Sequence, residues 1–265
     1  MQALWAWTKK WFHRFGSPRW FFDIAGSWLP WLVVASVILL VTGCVWGLAF
    51  SPEDYQQHNS VRIIYVHVPA AILAQSIYMM MGAAALVLLV WRMKMADWFI
   101  ATAAPIGASM TALALFSGGV WGKPTWGAWW VWDGRTTSTL LQLFLYLGVI
   151  ALRRSVPGED RAGRACAVLC LVGLPNIFII KYSVVWWLSM HQVSTFKLTA
   201  APAMPPSMYL PLLINVFGFY CMFGVALLLA LRVEILVRER RTQWVQDWLR
   251  SRTRDRTRNR TRNRT

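Results

Sequence analysis

The chain has 265 residues, of which 57% are hydrophobic and only 14% charged, with a mean hydropathy of +0.43. Soluble domains carry about 25% charged residues, so the composition excludes a disordered chain and points away from an ordinary soluble domain towards a multi-spanning membrane protein. The 27 Lys and Arg outnumber 11 Asp and Glu, an excess that in a membrane protein reports orientation rather than nucleic-acid binding.

Charge-free apolar runs place six predicted transmembrane helices, at about 28–50, 65–91, 98–118, 135–152, 165–187 and 209–232. Each approaches the roughly 20 apolar residues that cross a bilayer core. The first run is too long for a signal-peptide core and lacks a small-residue cleavage site after it, so it reads as a retained helix. The expected fold class is an all-α integral membrane protein with six spans, which puts both termini on one side. That side collects 22 of the basic residues, the other holds Arg62, Lys123, Arg135 and Lys197, and Lys181 lies within the fifth span. The positive-inside rule then places both termini in the cytoplasm. Residues 1–240 are expected to form one membrane domain. Residues 241–265, ending in repeated Arg-Thr-Arg-Asn/Asp, are expected to be a disordered, solvated tail. Cys44, Cys166, Cys170 and Cys221 sit in apolar runs without a CxxC pair and read as buried thiols.

The outward connections are the unusual ones. Topology alone brings together His58 in the first outer loop, His67 at the start of the second span and His191 after the fifth. It adds the third-to-fourth connection, with five tryptophans among twelve residues: Trp121, Trp126, Trp129, Trp130 and Trp132. A lone tryptophan or histidine at a membrane boundary is ordinarily an interfacial residue. Two histidines at matching depth beside such a cluster suit a metal or a six-coordinate haem, for which Gly122, Pro124 and Gly127 would keep the Trp-rich stretch non-helical. Haem needs only two side-chain ligands and a broad aromatic wall. Arg135 and Lys123 could meet its propionates. Asp133 would pair with Arg135, the favoured reading, or support an imidazole.

The segment Trp-Gly-Lys-Pro-Thr-Trp-Gly-Ala-Trp-Trp-Val-Trp-Asp-Gly-Arg over 121–135 resembles the Trp-rich signature of haem-handling proteins of cytochrome c maturation. With Val-His-Val-Pro at 66–69, Trp186-Trp187 ahead of His191-Gln192, and six spans, the chain is similar over about residues 15–240 to the CcmC family of haem exporter proteins. The resemblance implies a non-enzymatic inner-membrane protein whose Trp-rich loop faces the periplasm and takes haem b, with His67 and His191 as axial ligands. It implies delivery to the periplasmic haem chaperone CcmE, in a complex with the small membrane protein CcmD and the ATP-binding-cassette subunits CcmA and CcmB. No GxxxxGK[ST] motif is present, so the chain has no P-loop of its own. The alternatives are a b-type haem redox protein, against which no histidine lies near the inner end of a span, and a secondary transporter built around Lys181.

Overall fold

The computed structural model describes residue 14 and residues 16–187, 189–191 and 204–262, with side-chain surroundings given as far as residue 254. Lys9, Lys10 and Lys197 of the charge count, and most of the last outer loop, lie outside the described residues. Among the described residues there is no β-strand beyond one isolated bridge, Asp54 to His58. Six helical segments are long and apolar enough to cross a membrane.

Helix α1 spans Pro18–Val45 and runs on through a π-helical turn, Trp46–Phe50. A short 3-10 helix, Asn59–Ile63, leads into α2, Ile64–Trp91. Then come α3, Lys94–Trp126; α4, Gly134–Ser155; α5, Glu159–Trp186; and α6, Pro206–Arg238. The helices overrun the expected spans because charge counting detects only their apolar middles. The overrun that bears on the outer connections is that of α3. It continues eight residues beyond the expected end at 118 and takes in the first half of the Trp-rich motif, contrary to the expectation of a wholly non-helical loop. Pro124 sits in its last turns, and termination waits for Gly127. Gly127 has φ of +78° and returns its N–H to the Lys123 carbonyl at 3.1 Å, a left-handed cap that glycine adopts without steric cost.

Helix α2 is the centre of the bundle, packed against α3, α5 and α6, while α1 lies outside and rests mainly on α6. Water does not drive helices together inside a bilayer, so close packing of small residues must. Gly107 of α3 receives the Tyr146 ring of α4, and Gly173 of α5 receives the Tyr78 hydroxyl of α2. The two tyrosines meet edge to face, 5.2 Å between centroids, a geometry worth about 0.5–1.5 kcal/mol beyond burial. Their hydroxyls donate to the Ala74 and Leu169 carbonyls, so no polar group is stranded there. Cys166 and Cys170 are buried in this core, as expected, whereas Cys44 and Cys221 are only partly covered.

At one end of the bundle four helices are joined by charge. Asp97 of α3 takes both guanidinium nitrogens of Arg153 of α4 at 2.6 Å. Arg238 of α6 reaches Glu159 of α5 at 2.7 Å, Glu234 at 2.6 Å and Asp97 at 3.9 Å. The segment expected as a disordered tail is instead helical, α7, Gln243–Arg262. One face of its first turns is packed on the bundle rather than solvated. Val245 is fully buried, and Trp244 and Trp248 pack on Phe22 of α1. The composition of the Arg-rich repeat hid this, because the anchoring residues lie just ahead of it.

A candidate haem site at one end of the bundle

The opposite end of the bundle gathers the connections that carry the histidines and the Trp-rich motif. Arg62 holds the first of them by donating to the Leu48 and Ser51 carbonyls. Tyr65, fully buried, hydrogen-bonds to Ser51 at 2.6 Å and donates to the Met208 carbonyl at 3.2 Å, tying α2 to the start of α6. Trp121 donates its indole N–H to Gln57 at 2.9 Å and packs on a small core of Val61, Ile64, Tyr65, Met208 and Leu212. This tryptophan is as much a strut as a wall. His58, at φ of +48°, belongs to the tight turn closed by Asp54.

His67 stands on the first turn of α2. Its ring packs edge-on against Trp121, with centroids 5.7 Å apart. Gly118 of α3 leaves the room, since a Cβ there would lie 3.0 Å from the imidazole Cε1. Nδ1 is 3.1 Å from Ser117 Oγ. The single Ser117 hydroxyl proton is given to the Leu113 carbonyl at 2.6 Å. The oxygen therefore accepts from Nδ1–H, which leaves the lone pair of His67 on Nε2.

His191 lies beyond the end of α5, and its ring packs on Trp126 at 4.7 Å. Its Nδ1 is 2.7 Å from Asp133 Oδ2. Asp133 is the N-cap of α4: Oδ1 accepts the Thr136 N–H at 2.8 Å, and Oδ2 also accepts the Ser189 hydroxyl at 2.5 Å. Burial works against ionisation of this carboxyl. The bonds from Ser189, Thr136 and His191 overcome it and hold the group down at about 2. Burial likewise lowers the pKa of His191 despite the Asp133 charge beside it. The ring is then neutral at neutral pH, with its proton on Nδ1 facing the carboxylate and its lone pair on Nε2. The hydrogen bonds of Asp133 therefore go to the imidazole side, not to Arg135 as favoured from sequence. Arg135, on the first turn of α4, feels the Asp133 charge through space and is within electrostatic range of both histidines.

Beyond Gly127 the chain folds back along α3. The carbonyls of Trp129 and Ala128 seat on Gly119 and Gly122, where a Cβ would come within 3.0 and 3.1 Å of their oxygens. Trp130 meets Trp132 edge to face at 5.3 Å. Trp129 and Trp132 remain exposed. The Trp130 indole N–H is buried without an acceptor among the described residues. Lys123 donates to the Gly127 carbonyl at the helix end, rather than standing free beside a ligand. Lys181 is exposed on α5 near the Tyr182 ring. Sequence reading missed Ser117, Ser189 and Gln57, which carry no motif of their own. Only the α-helical spacing of Ser117 from Trp121 hinted at a shared face. Among the described residues, no group of three or more His, Cys, Asp or Glu side chains forms a cage for a bare metal ion.

A family model described as heme exporter protein C matches residues 11–246. The chain belongs to this family. Relatives named heme exporter protein C include that of Escherichia coli K12, 48% identical over 235 residues, 89% of this chain and 95% of the relative. That of Haemophilus influenzae is 40% identical over 237 residues, covering 89% and 96%. That of Bradyrhizobium diazoefficiens is 43% identical over 226 residues, covering 85% and 86%. The match to the heme exporter protein C model ends within the first turn of α7, so most of the Arg-rich segment lies outside what the family shares.

Proposed function

We propose that this chain binds haem b at the periplasmic face of the inner membrane, through His67 and His191 as axial ligands, and presents it to the periplasmic chaperone CcmE. CcmD, CcmA and CcmB are its partners in the complex, and haem is its cargo rather than a resident cofactor. One observation carries the reading. Two imidazoles from distant parts of the chain lie at one end of the bundle within electrostatic range of each other, each with Nδ1 engaged and the Nε2 lone pair left over, each flanked by a tryptophan. Six-coordinate haem requires that arrangement, plus an apolar wall and partners for two carboxylates. The buried Trp130 N–H and the Arg135 guanidinium supply donors for propionates, and Trp126, Trp129, Trp130 and Trp132 supply the wall. The excess of basic residues at the other end supports a periplasmic site. Haem taken up by the purified protein gives a low-spin, bis-imidazole optical spectrum, and addition of CcmE depletes it. A high-spin spectrum unchanged by the chaperone refutes the proposal.

The exposed Trp129 and Trp132 offer contact area to both haem and chaperone. Each aromatic contact is worth roughly 0.5–1.5 kcal/mol beyond burial, so single Trp→Ala changes slow transfer by about tenfold or less. Joint loss of Trp129, Trp130 and Trp132 blocks chaperone loading. The measurement is haem-stained chaperone per unit of membrane-inserted protein.

The Arg-rich segment is dispensable for this chemistry. Ending the chain after Trp248 keeps the buried Val245 and the Trp244 and Trp248 anchors on Phe22 of α1, and leaves Arg232, Arg238, Arg240 and Arg241 to orient α6. Loaded chaperone per inserted protein then stays at the full-length level. A large fall in that ratio, at equal insertion, shows that the segment takes part in function.

A further inference from the structure

We infer that the two histidines hold haem unequally, and that His67 is the ligand released first when haem leaves. The inference rests on the proposed reading of both as axial ligands and adds an order to their release. The difference lies one bond behind each ring. His191 Nδ1–H donates to a carboxylate, Asp133, at 2.7 Å. That carboxylate is fixed by the Ser189 hydroxyl and the Thr136 N–H. His67 Nδ1–H faces only neutral oxygens, Ser117 Oγ at 3.1 Å and the nearby Ala114 carbonyl. A hydrogen bond to an ionised acceptor is roughly twice as strong as a neutral one. It pushes electron density through the ring on to Nε2 and makes a more basic ligand. His191 is the stronger donor to ferric iron, and His67 the weaker.

Mounting points to the same order. His67 projects from a continuous helix at the centre of the bundle, with its ring wedged between Trp121 and Gly118. It cannot follow haem outwards. His191 sits on irregular chain after α5, outside any helix, and is held there by Asp133 and Ser189. Outward displacement therefore stretches the weaker bond. The exchange is redox-neutral: the iron–Nε2 bond of His67 breaks, its electron pair stays on the imidazole, and an incoming donor's lone pair takes the vacated position. Asp133, Ser189 and Ser117 act as positioning residues through the two rings.

The test uses the full chain loaded with haem, reduced, and exposed to carbon monoxide, which replaces the weaker axial ligand. Resonance Raman of the iron–CO and C–O stretches then reports the ligand left opposite. Asp133→Asn keeps an acceptor for the Thr136 N–H but removes the charge, and it shifts both stretches. Ser189→Ala, which loosens the same carboxylate, shifts them less and in the same direction. Ser117→Ala leaves them unchanged and speeds CO binding several-fold. Loss of haem to an apo-globin trap rises roughly 10–100-fold in Asp133→Asn, the usual cost of removing an outer-shell partner, and less in Ser117→Ala. Stretches that respond to Ser117→Ala and ignore both Asp133→Asn and Ser189→Ala reverse the order of release, and stretches that ignore all three variants overturn the inequality. Retention of the wild-type low-spin spectrum by His67→Ala and His191→Ala defeats the ligand reading itself, which these CO results alone do not.

Discussion

Alanine at His67 or at His191 converts the low-spin haem spectrum to a high-spin, five-coordinate one, and alanine at both positions abolishes tight haem binding. The rings come from α2 and from the segment after α5, so neither can stand in for the other. In the described residues around them the side chains are tryptophan, serine, arginine and the already committed Asp133. Affinity falls by more than the roughly 10–100-fold that loss of an outer-shell partner costs. Free imidazole, which fits the volume of the missing ring, restores part of the low-spin spectrum in each single variant and little in the double one. Optical titration with haem in detergent is the measurement, and an unchanged low-spin spectrum in the double variant shows that the iron is held elsewhere.

Valine at Gly119 together with leucine at Gly122 lowers haem affinity by about a hundredfold while the bundle stays assembled. Even a single Cβ at either glycine crowds a backbone oxygen of the returning chain. Larger side chains lift Ala128 and Trp129 off α3, and Asp133 lies only four residues further on. Displacing a positioned group by about 1 Å can cost on the order of 10²-fold, and here the displaced group holds the His191 tautomer. Gly224→Ala is the control, because its Cβ would meet only Leu32 at ordinary contact distance. Quenching of tryptophan fluorescence by added haem reads the affinity, and the thermal midpoint in detergent reads the bundle. Equal loss in the control, or a collapsed midpoint in the double variant, shows that the glycines serve the fold rather than the loop.

The membrane architecture was legible in the sequence because one property, twenty-odd residues without charge, is needed for a helix to cross lipid. The helix ends were less legible for the same reason. α1 begins at Pro18 with Arg19 and Asp23 in its first turns, and both carry it past the apolar limit. α3 misled in the other direction. Gly122, Pro124 and Gly127 read as helix breakers, yet Gly122 joins Gly118 and Gly119 in the face on which His67 and the returning loop sit, Pro124 stays within the helix, and only Gly127, with its positive φ, ends it. At the site, topology brought His67, His191 and the tryptophans to one end, but could not assign Asp133. Its neighbour two residues on, Arg135, was the obvious partner in sequence. The bond to His191 spans 58 positions and depends on where the chain turns after Trp187. The serines behind the rings were invisible, because a serine in an apolar helix carries no signal of which group it faces.

The ion pairs among Asp97, Arg153, Glu159, Glu234 and Arg238 tie four helices together at the end of the molecule opposite the histidines. A tilt about that point gives a displacement that grows along the length of a helix. At 1.5 Å rise per residue, Gly118 stands about 30 Å from Asp97 along α3, so a tilt of about 3° moves it by roughly 1.6 Å. A shift of that size is felt where Gly118 meets the His67 ring, whereas midway along α3, where Gly107 meets the Tyr146 ring, it is about half as large. A change of helix angle is thus concentrated at the aromatic end of the bundle and spares the charged one.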